Sequence, residues 1–196
     1  MEAVIVDSGG ANLASLRYAL GRLECRTHIS SDGATIASAE RVVLPGVGSA
    51  PHAMQRLRAA GLTNVLRTLT QPVLGICLGM QLLFERSAEG PTPCLGILPA
   101  SAHSLKAAPG RPVPHMGWNE LKRVNADPLL WDISDGEYAY FVHSYAVPVT
   151  EHTLASADYG IAISAVVRRA NFWGTQFHPE RSGRTGARLL GNFLRL

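Results

Sequence analysis

Short apolar runs alternate with helical patterns over the first half of the chain. Three of these runs, Ala3–Val6, Arg41–Leu44 and Val73–Ile76, have the length and composition of strands buried on both faces. Helical patterns follow them, at leucines 13, 16, 20 and 23 and over residues 51–60, 62–69 and 78–84. This alternation predicts a three-layer α/β fold, in which a mostly parallel central sheet is flanked by helices.

The second half has a different character. Pro91–Pro114 is rich in Pro, Ala, Ser and Gly and predicts a loop with at most short strands. Four later segments predict strands, some of them antiparallel: Asn119–Lys122, Tyr138–His143, Ile161–Val167 and Phe172–Gln176. Gly186–Leu196 predicts a closing helix. A length of 196 residues suits a single domain over residues 1–196.

Composition argues against several classes of function. The net charge is +3 and the cations are scattered, so neither a nucleic-acid surface nor an anionic-membrane surface is expected. No uncharged apolar run reaches the roughly 18 residues that span a bilayer, and Met1 leads into a strand pattern rather than a signal peptide. Three cysteines without C-x-x-C spacing favour a reducing, cytoplasmic location over a disulfide framework. No spacing of histidines or cysteines predicts a metal site.

The segment Gly75–Gly79 reads G-x-C-x-G and stands between a buried strand and a helix. This is the nucleophile-elbow pattern, with cysteine in place of serine. Such a turn strains the backbone of the nucleophile, and a side chain at either glycine would collide across it. The helix N-terminus favours the thiolate of Cys77. We therefore expect Cys77 to be a nucleophile, whereas Cys25 and Cys94 have the setting of core cysteines.

His178 is the histidine best placed to serve a thiolate, because it follows a strand pattern within Gln176–Glu180. Residues i and i+2 of an extended segment project to the same side, about 7 Å apart. Glu180 could then orient the His178 ring and support its positive form, while Pro179 ends the strand. Alone the segment would suit a surface turn, but with a cysteine elbow it predicts a Cys–His–Glu triad. That chain order differs from the order in α/β-hydrolases.

Acyl transfer also needs N–H donors for the developing oxyanion. The backbone N–H of Leu78 comes with the elbow. A second donor is expected from the loop Pro45–Gly48, where flanking glycines let a peptide plane turn the N–H of Val47 or Gly48 toward the site. A plain turn between strand and helix explains these glycines equally well. Gly9-Gly10 lacks the other glycines of a phosphate-binding loop.

Taken together, the cysteine elbow and the His-Pro-Glu segment resemble the class I (triad) glutamine amidotransferases. More narrowly, the chain is similar to the glutaminase subunits of imidazole glycerol phosphate synthases in histidine biosynthesis. The segments that carry this similarity are Asp7–Leu13, Leu44–Gly48, Gly75–Gln81, Pro114–Asn119, Phe141–Tyr145 and Gln176–Gly183. They span nearly the whole chain, and the fold implied by the resemblance is flavodoxin-like.

The resemblance implies a glutaminase that needs no cofactor. Cys77 would attack the carboxamide of glutamine, His178 would carry protons to the departing ammonia, and Glu180 would orient His178. The substrate would be held by a further group of residues: Gly46, Gln81, His143, Ser144 and Tyr145.

The resemblance also implies a heterodimer. Ammonia would pass to a (β/α)₈-barrel cyclase subunit, which makes imidazole glycerol phosphate and an aminoimidazole carboxamide ribonucleotide. Trp118, with Met116 and Asn119, is the candidate contact with that subunit, although a core position for Trp118 is an equal alternative. We further hypothesise that the partner controls a flip of the peptide that carries the Val47 N–H.

Two other interpretations stay open. The chain could be a triad glutaminase of purine, aminobenzoate or vitamin B6 synthesis, although Pro114–Asn119 disfavours these. It could also be a non-enzymatic α/β module for redox sensing or protein interaction through Cys77, which would have no need of His178 or Glu180.

Overall fold

The computed structural model describes residues 1–7 and 13–196, so the predicted turn at Ser8–Gly10 lies outside the described residues. The strands are β1 (Glu2–Val6), β2 (Arg26–Ser30), β3 (Val42–Leu44), β4 (Val73–Ile76), β5 (Phe84–Ser87), β6 (Thr92–Pro93), β7 (Leu98–Ser104), β8 (His115–Glu120), β9 (Lys122–Arg123), β10 (Tyr138–His143), β11 (Tyr145–Ala146), β12 (Thr153–Asp158), β13 (Ala162–Arg169) and β14 (Phe172–Thr175). The helices are α1 (Leu13–Gly21), α2 (Gly33–Ala37), α3 (Ala50–Ala59), α4 (Leu62–Thr68), α5 (Leu78–Leu83) and α6 (Gly183–Arg195). Short 3₁₀ helices occupy Pro128–Leu130 and Pro179–Arg181.

The central sheet has, within the described residues, eight strands in the order β2-β1-β3-β4-β14-β13-β12-β9. The first five run parallel, and the last three join by antiparallel pairing. This confirms the predicted fold class. Because β3, β4 and β14 are neighbours, their carboxyl ends lead into Pro45–Gly48, Cys77 and Gln176–Glu180 at one edge of the sheet. Ligands of open α/β sheets bind at this edge.

Both faces of the sheet are buried under helices. Alternate residues of a strand point to opposite faces, and in β4 Leu74 packs in one apolar cluster while Val73 packs in the other. The first cluster includes residues of α1 and α6, such as Leu16 and Phe193. The second includes residues of α3 and α4, such as Leu57. The prediction of helices on both faces is therefore confirmed.

The prediction of a loop with at most short strands over Pro91–Pro114 is wrong for β7, which is seven residues long. This seven-residue strand joins a second sheet, of order β11-β7-β5-β6 in the part of the chain that is described. Pairing with other segments specifies it: Leu98 lies beside Phe84 of β5, and Ala102 lies beside Ser87. The strand has no β-branched residue of its own, so its sequence gave no strand signal.

Other boundaries differ by a few residues. The strand predicted at Asn119–Lys122 begins earlier, at His115, and β8 pairs antiparallel with β10 rather than joining the central sheet. Strands β2 and β12 were not predicted, and β2 is a largely exposed polar strand at the sheet edge. Helix α1 ends at Gly21, before Leu23. None of the helices within residues 1–7 and 13–196 combines the length and the apolar character that crossing a bilayer requires.

Candidate active site

Cys77 occupies the turn between β4 and α5, and its backbone is strained. Its φ of 53° and ψ of −110° lie in a region that a residue with a side chain rarely adopts. Two backbone hydrogen bonds hold this conformation. The Cys77 N–H donates to the carbonyl of Thr175 at 2.7 Å, and the Cys77 carbonyl accepts from the N–H of Gln81 at 3.1 Å. The predicted strained turn between β4 and α5 is thus present, and a hydrogen bond ties it to the end of β14.

Glycines let three backbone segments meet at this turn. A Cβ on Gly75 would lie 2.8 Å from the carbonyl oxygen of Gly79 and from the nitrogen of Met80. A Cβ on Gly79 would lie 1.8 Å from the carbonyl oxygen of Leu44, and one on Gly46 would lie 2.7 Å from the nitrogen of Gly79. The predicted collisions at Gly75 and Gly79 are confirmed, and Gly46 is constrained in the same way.

His178 and Glu180 lie directly after β14. The Nδ1 atom of His178 is 2.9 Å from the Oε1 atom of Glu180. The His178 N–H donates to the carbonyl of Tyr140 at 3.0 Å, and its carbonyl accepts from the Ser182 hydroxyl at 2.7 Å. Pro179 begins a 3₁₀ helix, so it ends the extended segment as predicted. The Glu180 carboxylate therefore holds the ring of His178, while Tyr140 and Ser182 hold its backbone.

The electrostatic setting favours a positive His178 ring. Burial lowers the pKa of His178, but hydrogen bonds with Cys77 and Glu180, together with their negative charges, outweigh burial and raise it to about 10. Because Nδ1 faces Glu180, Nε2 is the ring nitrogen left for the thiol. The second carboxylate oxygen of Glu180 is buried and has no hydrogen-bond partner among the described residues. The arrangement is that of a thiolate–imidazolium pair supported by a carboxylate.

A cavity of about 390 Å³ brings the predicted residues together. Its lining includes every residue predicted for catalysis, for the oxyanion or for substrate: Cys77, His178, Glu180, Leu78, Val47, Gly48, Gly46, Gln81, His143, Ser144 and Tyr145. The oxyanion loop has irregular backbone, and Gly48 has a φ of 89° that favours glycine. The predicted partner contacts Met116, Trp118 and Asn119 do not line the cavity.

A fully buried glutamine beside the nucleophile was missed by the sequence prediction. The Nε2 atom of Gln176 lies 3.8 Å from the Cys77 sulfur, and its Oε1 atom accepts from Nε2 of Gln81 at 3.0 Å. The same Gln81 nitrogen donates to the carbonyl of Tyr145 at 2.8 Å. A signal for Gln176 exists in the sequence, because residues 176 and 178 have the spacing that puts side chains on one side of an extended segment.

The pairing of His143 with a second buried histidine, His115, was also missed. His143 Nδ1 bonds the carbonyl of Tyr145 at 2.9 Å, and its Nε2 lies 3.0 Å from Nδ1 of His115. The Nε2 atom of His115 then faces the Asn119 amide nitrogen at 3.3 Å. A carbonyl only accepts, so Nδ1 carries the hydrogen in both rings and each Nε2 accepts. The His115 ring is stacked on Tyr159, with centroids 3.9 Å apart.

Burial keeps both histidines neutral. It lowers the pKa of His115 to about 4. Burial, together with the nearby His115 and His178, lowers the pKa of His143 to about 3, against a backbone hydrogen bond that raises it. A neutral His143 adds no positive charge that would compete with His178 for the thiolate.

The predicted partner contacts are largely on the surface. Met116 is 66% exposed and Trp118 is 54% exposed, so the alternative of a core position for Trp118 is wrong. Asn119 is partly buried and donates to the carbonyl of Asp158 at 2.8 Å. The indole of Trp118 packs edge-on against Tyr140, with ring centroids 5.9 Å apart.

The remaining cysteines have core surroundings. All three cysteines are free and buried. Burial raises the pKa of the Cys25 thiol and raises that of Cys94 to about 11. Among the described residues, no group of three or more His, Cys, Asp or Glu side chains could hold a metal ion.

Comparison with known sequences gives a full-length match. The family model for class-I glutamine amidotransferases matches residues 4–196. The chain is 53% identical over 195 residues to the imidazole glycerol phosphate synthase subunit HisH of Xylella fastidiosa strain Temecula1. It is 51% identical over the same length to the protein of that name from Xanthomonas axonopodis pv. citri. Each alignment covers 100% of this chain and 98% of the relative.

Solved structures show the same fold at low sequence identity. A crystal structure of a glutamine amidotransferase superposes with a TM-score of 0.76 at 18% identity, covering 98% of this chain and 97% of the other. PurLQS from Thermotoga maritima gives a TM-score of 0.76 at 19% identity, covering 99% and 97%.

Proposed function

The chain belongs to the class-I glutamine amidotransferase family, and from that premise we propose that it is the glutaminase subunit of an imidazole glycerol phosphate synthase. It would hydrolyse glutamine to glutamate and supply the ammonia to histidine biosynthesis, as one domain over residues 1–196 in the cytoplasm. The observation that carries the proposal is the cavity in which a strained Cys77 meets a His178 ring bonded to Glu180 at 2.9 Å.

The reaction follows from the charge state of the triad. The Cys77 thiolate attacks the side-chain carboxamide carbon of glutamine, and the His178 imidazolium gives its proton to the departing ammonia. The resulting thioester is attacked by water, whose proton passes to His178 and whose oxygen ends in glutamate. Glu180 holds the ring orientation throughout. One glutamine and one water give one glutamate and one ammonia.

Oxyanion donors would come from the elbow and from the loop beside it. The N–H of Leu78 follows the nucleophile directly, and the N–H of Val47 or Gly48 would supply the second bond. We propose that the partner subunit biases a flip of the Val47 peptide, for which the positive φ of Gly48 gives the backbone freedom. Full glutaminase activity of the isolated chain would contradict this control.

Substrate selection would rest on Gln81 and on residues 143–145 of the cavity lining. Both amide hydrogens of Gln81 are already donated to protein oxygens, so its Oε1 atom is the group left to accept from the α-ammonium of glutamine. The backbone of Ser144 and Tyr145 would contact the same end of the substrate. His143 and Gly46 line the remaining wall.

Ammonia must leave the site unprotonated to act as a nucleophile, which requires a path closed to solvent. We propose that it passes to a (β/α)₈-barrel cyclase subunit, which joins it to a phosphoribulosyl intermediate. Met116 and Trp118 offer exposed apolar surface for that contact, and Asn119 lies beside them on β8.

The direct test is covalent labelling. A chloroketone analogue of glutamine should alkylate Cys77 and leave Cys25 and Cys94 unmodified, as read by peptide mass spectrometry, and excess glutamine should protect Cys77. Ammonia release in the presence of the partner should be lost in Cys77→Ser and His178→Ala. Equal labelling of the three cysteines, or full activity of His178→Ala, would overturn the proposal and favour a non-enzymatic module.

A further inference from the structure

We propose that Gln176 is a further member of the reaction centre: its side-chain amide donates a hydrogen bond to the Cys77 sulfur and stabilises the thiolate. The inference rests on the proposed glutaminase function, because it concerns the nucleophile of that reaction. It assigns a role to a side chain outside the Cys–His–Glu triad.

The orientation of the Gln176 amide follows from its neighbours. A carbonyl oxygen only accepts, so the carbonyl of Tyr145 requires the Nε2 atom of Gln81 to face it. That nitrogen is a donor, and its second bond at 3.0 Å requires the Oε1 atom of Gln176. The Nε2 atom of Gln176 is therefore the end that faces the sulfur, at 3.8 Å.

The same geometry makes this bond depend on the charge of the sulfur. A thiol is a weak acceptor, and the Cys77 thiol has a carbonyl acceptor for its own hydrogen at Val142, 3.7 Å away. When the proton passes to His178, the bond to Val142 is lost and the N–H of Gln176 still points at the sulfur. Hydrogen bonds to charged acceptors are stronger than those to neutral ones. Gln176 is fully buried, so water does not compete for its amide.

Within residues 1–7 and 13–196, no other titratable or charged side chain that lines the cavity replaces this donor. The titratable or charged side chains that share the cavity with Cys77 are Glu89, His143, Tyr145, His178, Glu180 and Arg181. Burial keeps His143 neutral, and its Nδ1 hydrogen is already given to the Tyr145 carbonyl. Gln176 therefore acts beside His178 as an uncharged hydrogen-bond donor, and it neither gives up nor receives a proton during the reaction.

The test replaces the amide by its isosteric acid. Gln176→Glu keeps the oxygen that accepts from Gln81 and removes the N–H, but its carboxylate charge would by itself disfavour the thiolate. Gln176→Met, which removes the N–H and adds no charge, is therefore measured beside it. The measurement is the rate of Cys77 alkylation by iodoacetamide as a function of pH, with the modified site assigned by mass spectrometry. We expect the pH midpoint of alkylation to rise by about one unit and the rate below it to fall roughly tenfold. The kcat for glutamine hydrolysis should fall, with KM little changed.

Gln71→Glu is the matched control. The Nε2 atom of Gln71 donates to two backbone oxygens, those of Ile36 and Ala37 at 3.0 and 3.3 Å, and Gln71 precedes the amino end of β4. Loss of these hydrogen bonds in Gln71→Glu should lower the melting temperature without moving the pH midpoint of Cys77 alkylation. The alkylation midpoint should rise in Gln176→Met as well as in Gln176→Glu, and circular dichroism checks that each variant folds. A rise in Gln176→Glu alone would assign the shift to the new charge and overturn the role of the Gln176 donor.

The possible results separate the two proposals. An unchanged midpoint in a folded Gln176 variant, or an equal shift in Gln71→Glu, would overturn the role of Gln176 even if the glutamine analogue still labels the wild-type Cys77. Failure of that analogue to label the wild-type protein would instead overturn the glutaminase function.

Discussion

The Nε2 atom of His143 lies 3.0 Å from the Nδ1 atom of His115, and a single hydrogen joins the two buried rings. Through His143 Nδ1 the pair holds the Tyr145 carbonyl, which also accepts from Gln81. Both imidazoles must stay neutral for this chain of bonds, because a protonated His143 would place a second hydrogen against His115. The His143–Tyr145 part of the cavity lining therefore depends on two histidines that do not ionise at neutral pH.

The first prediction concerns stability at mildly acid pH. The folded pKa values of about 4 for His115 and about 3 for His143 lie below the ordinary value of 6.5. Between pH 6.5 and 4 the unfolded chain therefore binds more protons at these two histidines than the folded chain does. The stabilisation that comes from the neutral rings is present above pH 6.5 and is lost as the pH falls toward 4. The free energy of unfolding by urea should fall between pH 7.5 and 5.5.

The variant His115→Gln isolates this contribution. It should lose stability overall, by on the order of 1–3 kcal/mol, and its fall between pH 7.5 and 5.5 should be smaller than that of the wild type by about 1 kcal/mol. His52→Gln, at an exposed position of α3, should keep the wild-type pH dependence. An identical fall in all three proteins would contradict the assignment of neutral buried rings.

The contribution of His178 to stability has the opposite pH dependence. Because its pKa is raised, this contribution is present below pH 6.5 and is lost as pH rises through about 10.

The second prediction concerns the glycines of the elbow. In Gly79→Ala the new Cβ would lie 1.8 Å from the Leu44 carbonyl oxygen, so β3 and α5 would have to separate. We expect a loss of about 3 kcal/mol or more in unfolding free energy, with loss of Cys77 labelling. Gly21→Ala, whose Cβ would meet no atom within 4 Å, should be neutral or slightly stabilising. Equal melting temperatures for the two variants would disprove the close approach.

How far the sequence predicts this site depends on how local each interaction is. The elbow and the His178–Glu180 pair each lie within a few residues, so flanking glycines and close spacing were enough to find them. The extended geometry predicted for the pair is wrong, because Glu180 lies in the 3₁₀ helix Pro179–Arg181. The Gln176–Gln81 bond joins residues 95 positions apart, and the His115–His143 bond joins residues 28 apart. These pairings exist only after β14 has packed beside β4 and β8 beside β10. Strand β7 was missed for the same reason, since its pairing partners specify it rather than its own side chains.

The third prediction concerns the carboxylate of the triad. Glu180→Gln removes the charge that helps to raise the pKa of His178, so less imidazolium should be available to protonate the departing ammonia. We expect kcat for ammonia release, measured with the partner present, to fall by roughly 10²-fold or more, within the range typical of acid–base groups. KM for glutamine should change little, because Glu180 would not bind the substrate.

A comparison of pH profiles checks the cause of that loss. The alkaline limb of kcat should move to lower pH in Glu180→Gln, because the imidazolium would lose its proton earlier. Glu151→Gln is a suitable control, since Glu151 is an exposed carboxylate that also lies near a histidine, His152, at 3.7 Å. A wild-type rate and profile in Glu180→Gln would remove Glu180 from the triad.

The last prediction concerns the surface of β8. Trp118 is 54% exposed and packs edge-on against Tyr140, so Trp118→Ala should lower the stability of the isolated chain little. If Trp118 anchors the cyclase subunit, Trp118→Ala should raise the Kd of the complex by about 30-fold, a loss of about 2 kcal/mol that is typical of a buried aromatic anchor. Calorimetric titration of each variant with the partner measures this change, and the melting temperature of the free chain measures the effect on the fold.

Trp131→Ala provides the control, because Trp131 is also exposed, at 69%, but lies outside β8, after the 3₁₀ helix at Pro128–Leu130. Equal weakening by both substitutions, or a lower melting temperature of Trp118→Ala with an unchanged Kd, would show that β8 is not the docking surface.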